Sequence, residues 1–288
     1  MQAPSVAETP KRIAFVSTRI SGTDGVSLEI GKWADILEHM GHTCFYIAGQ
    51  CDDRPPERSF VIPEAHFTHP VIAGINRQCF GHEKRASATT AKIKDMTRVI
   101  KARLHDALET FKPDLVIAEN CVTIPMNIPL GLAIVETVME TPISFMAHHH
   151  DFVWERERFL VNGVDDYLEA AFPPHIKEMQ HITINSQAAT EFSRRTGLPC
   201  AVIPNVMDFD RPPHPPDAYS RGFRQAIGIE DDDILILQPT RVVQRKGIET
   251  SVELIRRLDD PRCILVLSHS AGDEGDADAK RVVRDAVL

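Results

Sequence analysis

The densest group of reactive side chains in the sequence is HHHD, at residues 148–151. It comes directly after the apolar segment Pro142–Ala147, which is typical of a buried strand. A histidine at the carboxyl end of a strand is well placed to hydrogen-bond a substrate hydroxyl or to polarise a reacting oxygen. Trp154 and Arg156 follow at once and add a stacking face and a cation. Because adjacent side chains seldom point at one centre, the run predicts a substrate-binding histidine and no metal site.

A second candidate group is a pair of basic residues in the loop PTRVVQRKG, residues 239–247. Arg241 and Lys246 lie between an apolar run and a helical pattern, and both can reach an anion over the N-terminus of that helix. A fixed pair of cations compensates the charge on the leaving oxygens when a diphosphate departs. The alternative is a solvated basic loop that binds nothing.

A third candidate is the loop RISGTDG, residues 19–25, between a predicted strand and a predicted helix. Gly22 and Gly25 allow the backbone to approach a ligand, and the helix N-terminus favours an anion. The spacing matches neither the dinucleotide fingerprint nor the P-loop. The alternative is therefore a tight turn in which Asp24 or Ser27 caps the helix.

The fourth candidate is the segment ENCVTIPMN, residues 119–127, which follows a buried-type strand. Its Glu-Asn start places polar groups at the carboxyl edge of the predicted sheet. Pro125 and Pro129 lie on either side of Asn127 and limit the freedom of the loop. Asn127 is predicted either to contact a ligand or to cap the next helix.

These loops require a framework of alternating strands and helices. Arg12–Thr18 and Thr43–Ala48 are predicted strands, and between them apolar residues from Val26 to Met40 recur at steps of three and four. Further strands are predicted at Leu115–Ala118, Pro142–Ala147, His181–Asn185 and Ala201–Pro204, with helices at Ile93–Phe111 and Gln187–Thr196. This order indicates an open, doubly wound Rossmann-type α/β domain, which binds ligands at the carboxyl ends of its strands.

A change in composition predicts the domain organisation. We expect a disordered tail at residues 1–11, an N-terminal Rossmann-like domain at 12–208 and a Pro-rich linker at 209–217. The α/β pattern then resumes over 218–288 with only two strands, Ile234–Gln238 and Cys263–Leu267, and a last helix over 277–288. Two strands are fewer than a stable sheet usually contains, so this second Rossmann-type domain is predicted to be incomplete.

Composition excludes several classes of protein. A formal net charge of −9 argues against a broad nucleic-acid-binding face. There is no apolar run of the ~20 residues that a membrane span needs. The six scattered cysteines are typical of buried thiols in a reducing compartment. We therefore expect a cytoplasmic protein without a nucleic-acid partner or a transmembrane segment.

Three segments carry a family resemblance. PTRVVQRKGIETSVELI (239–255), INSQAATEF (184–192) and VIPNVMDFD (202–210) resemble the family 4 glycosyltransferases, which have the GT-B fold. The similarity extends over about residues 12–270. The glycine that usually follows the asparagine at position 205 is missing, and SGTDG is a looser version of the family's glycine-rich phosphate loop.

The resemblance implies a retaining hexosyltransferase that moves a sugar from a nucleotide-diphosphate sugar to a small-molecule or glycan acceptor, without a cofactor or a bound metal. The N-terminal domain would then bind the acceptor and the second domain the donor. His150 best matches the histidine that contacts the transferred sugar in this family, and His149 is the alternative. The donor diphosphate is assigned to Arg241, Lys246, Gly22 and Thr23. The acceptor is assigned to Asn120, Asn127, Asp151 and Arg156.

One departure from the family pattern leaves alternatives open. The Glu-x7-Glu motif that holds the donor's sugar and ribose hydroxyls in this family does not follow Lys246. The chain is therefore expected to be a fragment or to have lost donor specificity. A sugar-nucleotide epimerase of similar fold is one alternative function, and a non-catalytic protein with a remnant donor domain is another.

Overall fold

A computed structural model describes residues 9–205, 207, 209, 215–240, 242 and 246–268. Its contacts divide the chain into two compact units, Met1–Met207 and Asp208–Leu288. No helix in the described ranges is both long and apolar enough to cross a membrane.

The first unit contains a seven-stranded sheet in which every neighbouring pair of strands is parallel. Its strands are β1 Arg12–Ser17, β2 Thr43–Ala48, β3 Ser59–Val61, β4 Leu115–Glu119, β5 Ser144–His149, β6 Met179–Thr183 and β7 Ala201–Val202. The order across the sheet is β3-β2-β1-β4-β5-β6-β7. The chain therefore reverses its winding direction between β1 and β4, and a crevice for ligands opens at such a point. This confirms the predicted doubly wound α/β class.

Helices cover both faces of this sheet. They are α1 Gly25–His39, α2 Pro70–Cys79, α3 Ser87–Phe111, α4 Ile128–Glu140, α5 Asp165–Ala171 and α6 Ser186–Thr196. Alternate strand residues point to opposite faces. On one face, Phe15 and Ile117 pack with Ile30 of α1. The larger core on the other face joins Val16, Val116 and Ala118 to Ile100 and Leu104 of α3 and to Leu130 and Ile134 of α4.

Several element bounds differ from the prediction, and two of the differences bear on the site. Strand β4 continues to Glu119 and β5 to His149, so that polar side chains lie inside strands that were expected to end at Ala118 and Ala147. Apolar patterning marks the buried middle of a strand but does not register a polar residue that is itself buried. Strand β6 begins at Met179 and not at His181. The short strand β3 and the helices α2 and α5 were not predicted.

The second unit contains a smaller parallel pair of strands. Strands β8 Ile234–Gln238 and β9 Cys263–Leu267 have the predicted bounds and pair in register along their whole length. Helix α7 spans Ala218–Ala226 and α8 spans Ile248–Leu258. The predicted helix over 277–288 lies outside the described residues.

The contact between α4 and Phe172 gives a stability test for the first unit. A Cβ atom on Gly131 would lie 2.3 Å from Cζ of Phe172, whose ring is 2% exposed and has no room to move. We expect Gly131→Ala to lower the free energy of unfolding by about 1–3 kcal/mol, the usual cost of overpacking a core. The measurement is the midpoint of urea unfolding.

Gly74→Ala is the matched control. Gly74 also lies inside a helix, but the nearest atom to an added Cβ is the guanidinium of Arg77 at 3.9 Å. Alanine is better than glycine in a helix interior by up to about 1 kcal/mol, so this variant should be as stable as the wild type or more so. A Gly131→Ala variant with an unchanged midpoint would contradict the packing.

Candidate functional site

The centre of the candidate site is a carboxylate shared by two histidines. Glu119 and His148 occupy register positions opposite each other on β4 and β5, so both side chains point to the same face of the sheet. His150 lies two residues further and returns to that face. The Glu119 carboxylate lies 3.1 and 3.2 Å from Nδ1 of His148 and 3.2 Å from Nε2 of His150.

Burial sets the chemistry of this carboxylate. Glu119 and His148 have no exposed surface, whereas 12% of the His150 side chain is exposed. Burial alone would raise the pKa of Glu119, but the hydrogen bonds that its carboxylate accepts from His148 and His150 oppose burial, and that pKa lies below its ordinary value. The carboxylate therefore stays ionised at neutral pH and acts only as an acceptor. The Trp33 ring packs against the His148 ring, with their centroids 4.8 Å apart.

Asn120 joins the loop after β4 to the loop after β5. Its amide oxygen accepts the backbone N–H of His150 at 3.2 Å, and its amide nitrogen donates to Asp151 at 3.2 Å. Its backbone adopts φ +55, a left-handed conformation that asparagine tolerates better than most residues. Asp151 in turn pairs with Arg156. Four of the predicted site residues, Asn120, His150, Asp151 and Arg156, are thus brought together.

His149 lies on the opposite face of the sheet and does not reach this group. Its Nδ1 lies 2.6 Å from Oγ1 of Thr123 and its Nε2 lies 3.0 Å from Nδ1 of His181. The rings of Phe152 and Phe192 pack against it, and it has no exposed surface. The alternative assignment of a catalytic role to His149 stays a prediction, which the burial of the whole ring does not support.

Asn127 is a helix cap. Its side-chain oxygen accepts the backbone N–H of Leu130 at 3.0 Å, and its amide nitrogen donates to the carbonyl oxygens of Glu64 and Ala65. Only 1% of the residue is exposed. Each polar atom of its side chain thus has a backbone partner, which favours the capping alternative. The assignment of Asn127 to the acceptor stays a prediction.

The loop after β1 is exposed at Gly22 and Thr23, and it caps helix α1. Asp24 caps α1 by accepting the N–H groups of Val26 and Ser27. Gly22, at φ +75, donates its N–H to the carboxylate of Asp53 at 2.9 Å. A diphosphate that binds Gly22 and the exposed Thr23 would thus compete with an acidic side chain of the chain itself.

The predicted basic pair lies in the second unit. Lys246 is exposed, and its carbonyl oxygen accepts a hydrogen bond from the Gln238 side chain at 2.9 Å. Gly247, at φ +66, then leads into α8. Lys246 therefore stands at the start of the helix, as predicted, whereas Arg241 lies outside the described residues.

Glu119, His148 and His150 also form a group that could hold a metal ion, since their ligand atoms lie within 4.8 Å of one another. The same closeness is accounted for by the hydrogen bonds between them. The expectation that no metal is bound stays a prediction.

Sequence reasoning did not identify Glu119, Thr123 or His181 as members of these clusters. The parallel register of β4 with β5 is the signal that places Glu119 beside His148.

The buried pair of His149 and His181 predicts a loss of stability in acid. Burial lowers the pKa of His181 to about 4 and holds the pKa of His149 well below its ordinary value. Between the ordinary histidine pKa of about 6.5 and pH 4, the unfolded chain therefore binds protons that the folded chain does not bind. The free energy of unfolding should fall as pH falls through this range, by up to about 1.4 kcal/mol per pH unit for each such proton.

Urea unfolding of the wild type and of His181→Gln across this pH range measures the effect. Glutamine can still hydrogen-bond the ring of His149, as donor or as acceptor, but does not titrate, so the stability of this variant should depend less on pH. His82→Gln, at an exposed position, is the control and should keep the wild-type slope. If the free energy of unfolding depends on pH equally in the wild type and in His181→Gln, the acid sensitivity does not come from His181.

Comparison with known proteins gives two sequence relatives. The mannosylglucosylglycerate synthase of Petrotoga mobilis is 33% identical over 247 residues, which are 84% of this chain and 56% of that protein. The protein of the same name from Thermotoga maritima is 31% identical over 254 residues, 86% of this chain and 57% of that protein. The chain thus spans about half the length of these curated relatives. No family model matches the sequence.

Two solved structures share the fold. Sucrose-phosphate synthase from Thermosynechococcus elongatus matches with a TM-score of 0.60 at 14% identity, over 96% of this chain and 68% of that one. WaaG, a glycosyltransferase involved in lipopolysaccharide biosynthesis, matches with a TM-score of 0.55 at 13% identity, over 94% of this chain and 67% of that one. These likenesses concern the fold, and with the sequence relatives they confirm the resemblance. The chain belongs to the family 4-like glycosyltransferases with the GT-B fold.

Proposed function

We propose that this chain provides the acceptor-binding domain and the beginning of the donor-binding domain of a retaining hexosyltransferase. The donor is a nucleotide-diphosphate sugar. The acceptor is a small hydroxylated sugar acid, which the name of the two sequence relatives suggests. Support comes from homology to named glycosyltransferases and from the polar residues gathered at the carboxyl edge of β4 and β5.

The observation that carries the proposal is the placement of His150. It is the histidine of the HHHD run that keeps exposed surface, and its ring and its backbone N–H are bonded to Glu119 and Asn120 at the end of β4. A partly exposed imidazole held in this way can hydrogen-bond a hydroxyl of a bound sugar in one fixed geometry. His148 and His149 are fully buried and support the edge of the sheet.

Asp151 and Arg156 are proposed to bind the acceptor beside His150. Each retains some exposure, at 18% and 23% of the side chain. Their ion pair offers a carboxylate for sugar hydroxyls and a guanidinium for an acidic group, which suits a hydroxylated acid. Asn120 is already bonded on both sides and holds this arrangement in place.

The donor diphosphate is proposed to bind Arg241 and Lys246. The position of Lys246 at the start of α8 supports this assignment, because a helix N-terminus and a lysine both favour the same anion. Gly22 and Thr23 are a separate proposal for phosphate binding within the first unit, where the N–H of Gly22 becomes available once the Asp53 carboxylate is displaced.

The test of the proposed transfer uses the full-length protein with nucleotide-diphosphate sugars and glycerate-derived acceptors. Mass spectrometry identifies the product and NMR its anomeric configuration, which we expect to be that of the donor. His150→Ala should lower kcat by roughly 100-fold or more, because a positioned proton-transfer or hydrogen-bonding group contributes about that much. His82→Ala, at an exposed position, is the control.

Other products would point to the alternatives. Recovery of an epimerised nucleotide sugar would identify an epimerase, and a chain that binds no nucleotide sugar in calorimetry would be non-catalytic. A product of inverted configuration would overturn the retaining mechanism alone.

The donor assignment has its own test in the same assay. Arg241→Ala and Lys246→Ala should each reduce kcat/KM by about 10- to 150-fold, since each removes a charge-assisted contact of about 1.5–3 kcal/mol. Arg256→Ala is the control, because that exposed side chain of α8 pairs with Glu253. Wild-type efficiency in both test variants would exclude the basic loop as the diphosphate site.

A further inference from the structure

The buried carboxylate of Glu119 determines where the protons of its two histidines lie. An ionised carboxylate has acceptor oxygens and no proton to donate. Each ring nitrogen that faces it at hydrogen-bond distance must therefore carry a proton, which places N–H on Nδ1 of His148 and on Nε2 of His150. A neutral imidazole has one N–H, so the other nitrogen of each ring is a bare lone pair.

His148 provides an independent check of this pattern. Its Nε2 is buried and has no partner among the described residues. A buried N–H without an acceptor is rarer and more costly than an acceptor that is left unused. The environment of His148 thus fits a bare Nε2, which is what a proton on Nδ1 leaves.

We propose that Glu119 is a positioning residue that holds His150 as the Nε2–H tautomer and turns its Nδ1 lone pair toward the substrate. Nδ1 is then an acceptor, and the group it meets must be a donor, namely a sugar hydroxyl and not a phosphate or carboxylate oxygen. No described residue hydrogen-bonds this Nδ1. This role for Glu119 rests on the proposed function of His150 and adds the direction of the hydrogen bond that His150 makes.

Two contacts limit the movement of His150. The ring bonds to Glu119 and the backbone N–H bonds to the side chain of Asn120, the next residue of the chain. Adjacent residues at the end of one strand thus fix both the rotation of the ring and the path of the backbone. A free histidine would have to give up rotational freedom on binding, whereas this one is already ordered.

A metal ion between the same three side chains is the competing arrangement. A metal bound through Nδ1 of His148 would place the ring proton on Nε2, where the structure shows no acceptor in the described chain. Metal-bound histidines nearly always donate that other N–H to a partner. The environment of His148 therefore favours a proton over a metal.

The decisive experiment is nitrogen NMR of the 288-residue chain with ¹⁵N-labelled histidine, with resonances assigned through His148→Gln and His150→Gln. In the wild type at neutral pH we expect a protonated Nε2 and a bare Nδ1 for His150, and the reverse for His148. This NMR measurement requires neither enzymatic activity nor a variant of Glu119. A protonated Nδ1 on His150 at neutral pH, in a neutral or a cationic ring, or stoichiometric metal by elemental analysis, would overturn the inference.

Glu119→Gln then tests the cause. Nδ1 of His148 faces both carboxylate oxygens, and Nε2 of His150 faces one of them. In either orientation the amide therefore places an NH₂ donor beside the Nδ1–H of His148, and the spectrum of His148 should change. Glu140→Gln, an exposed carboxylate of α4 that pairs with Lys101, should leave both rings unchanged. Unchanged spectra in a folded Glu119→Gln variant would overturn the role of Glu119.

Kinetics of the full-length protein separate this role from the proposed function. Glu119→Gln should lower kcat by roughly 100-fold through misorientation of His150, with the donor KM little changed. If His150→Ala abolishes transfer while Glu119→Gln keeps the wild-type kcat and pH profile, the positioning role fails and the proposed function stands. If neither protein transfers sugar, the proposed function fails, and the NMR spectrum still decides the tautomer.

Discussion

A carboxylate with no access to water is the constraint on which the carboxyl edge of this sheet depends. Removing an ionised group from solvent is costly unless the protein replaces the lost hydration with hydrogen bonds. Glu119 accepts such hydrogen bonds from the rings of His148 and His150, which lie two residues apart at the end of β5. Trp33 packs against the His148 ring, and His150 is the partly exposed partner of the carboxylate. A substitution that leaves either ring without its carboxylate would expose the whole edge to rearrangement.

The fold was largely predictable from the sequence because its strands and most of its helices carry strong periodic patterns. Thr43–Ala48, Ile234–Gln238 and Cys263–Leu267 have the bounds that their apolar residues predict. The errors in the strand bounds occur where polar residues are buried. His148 and His149 are polar residues inside a strand, so an apolar pattern ends the strand two residues early.

The candidate site was predictable in its location and only partly in its members. Residues at the ends of β4 and β5 were expected to be neighbours, and Asn120, His150, Asp151 and Arg156 are. The face that each histidine occupies requires the strand bounds, which the sequence alone placed differently. The cap formed by Asn127 shows a separate ambiguity, because a side chain that suits a ligand also suits a helix terminus.

The left-handed backbone of Asn120 has a consequence for motion. Its side chain bonds to two successive residues of the neighbouring loop, so the segments that follow β4 and β5 are linked beyond the last ladder hydrogen bond. These two hydrogen bonds couple a displacement of one segment to the other. Loops that carry binding residues are usually the mobile parts of a domain. Here the conformational entropy of the proposed acceptor site is already reduced before a ligand binds.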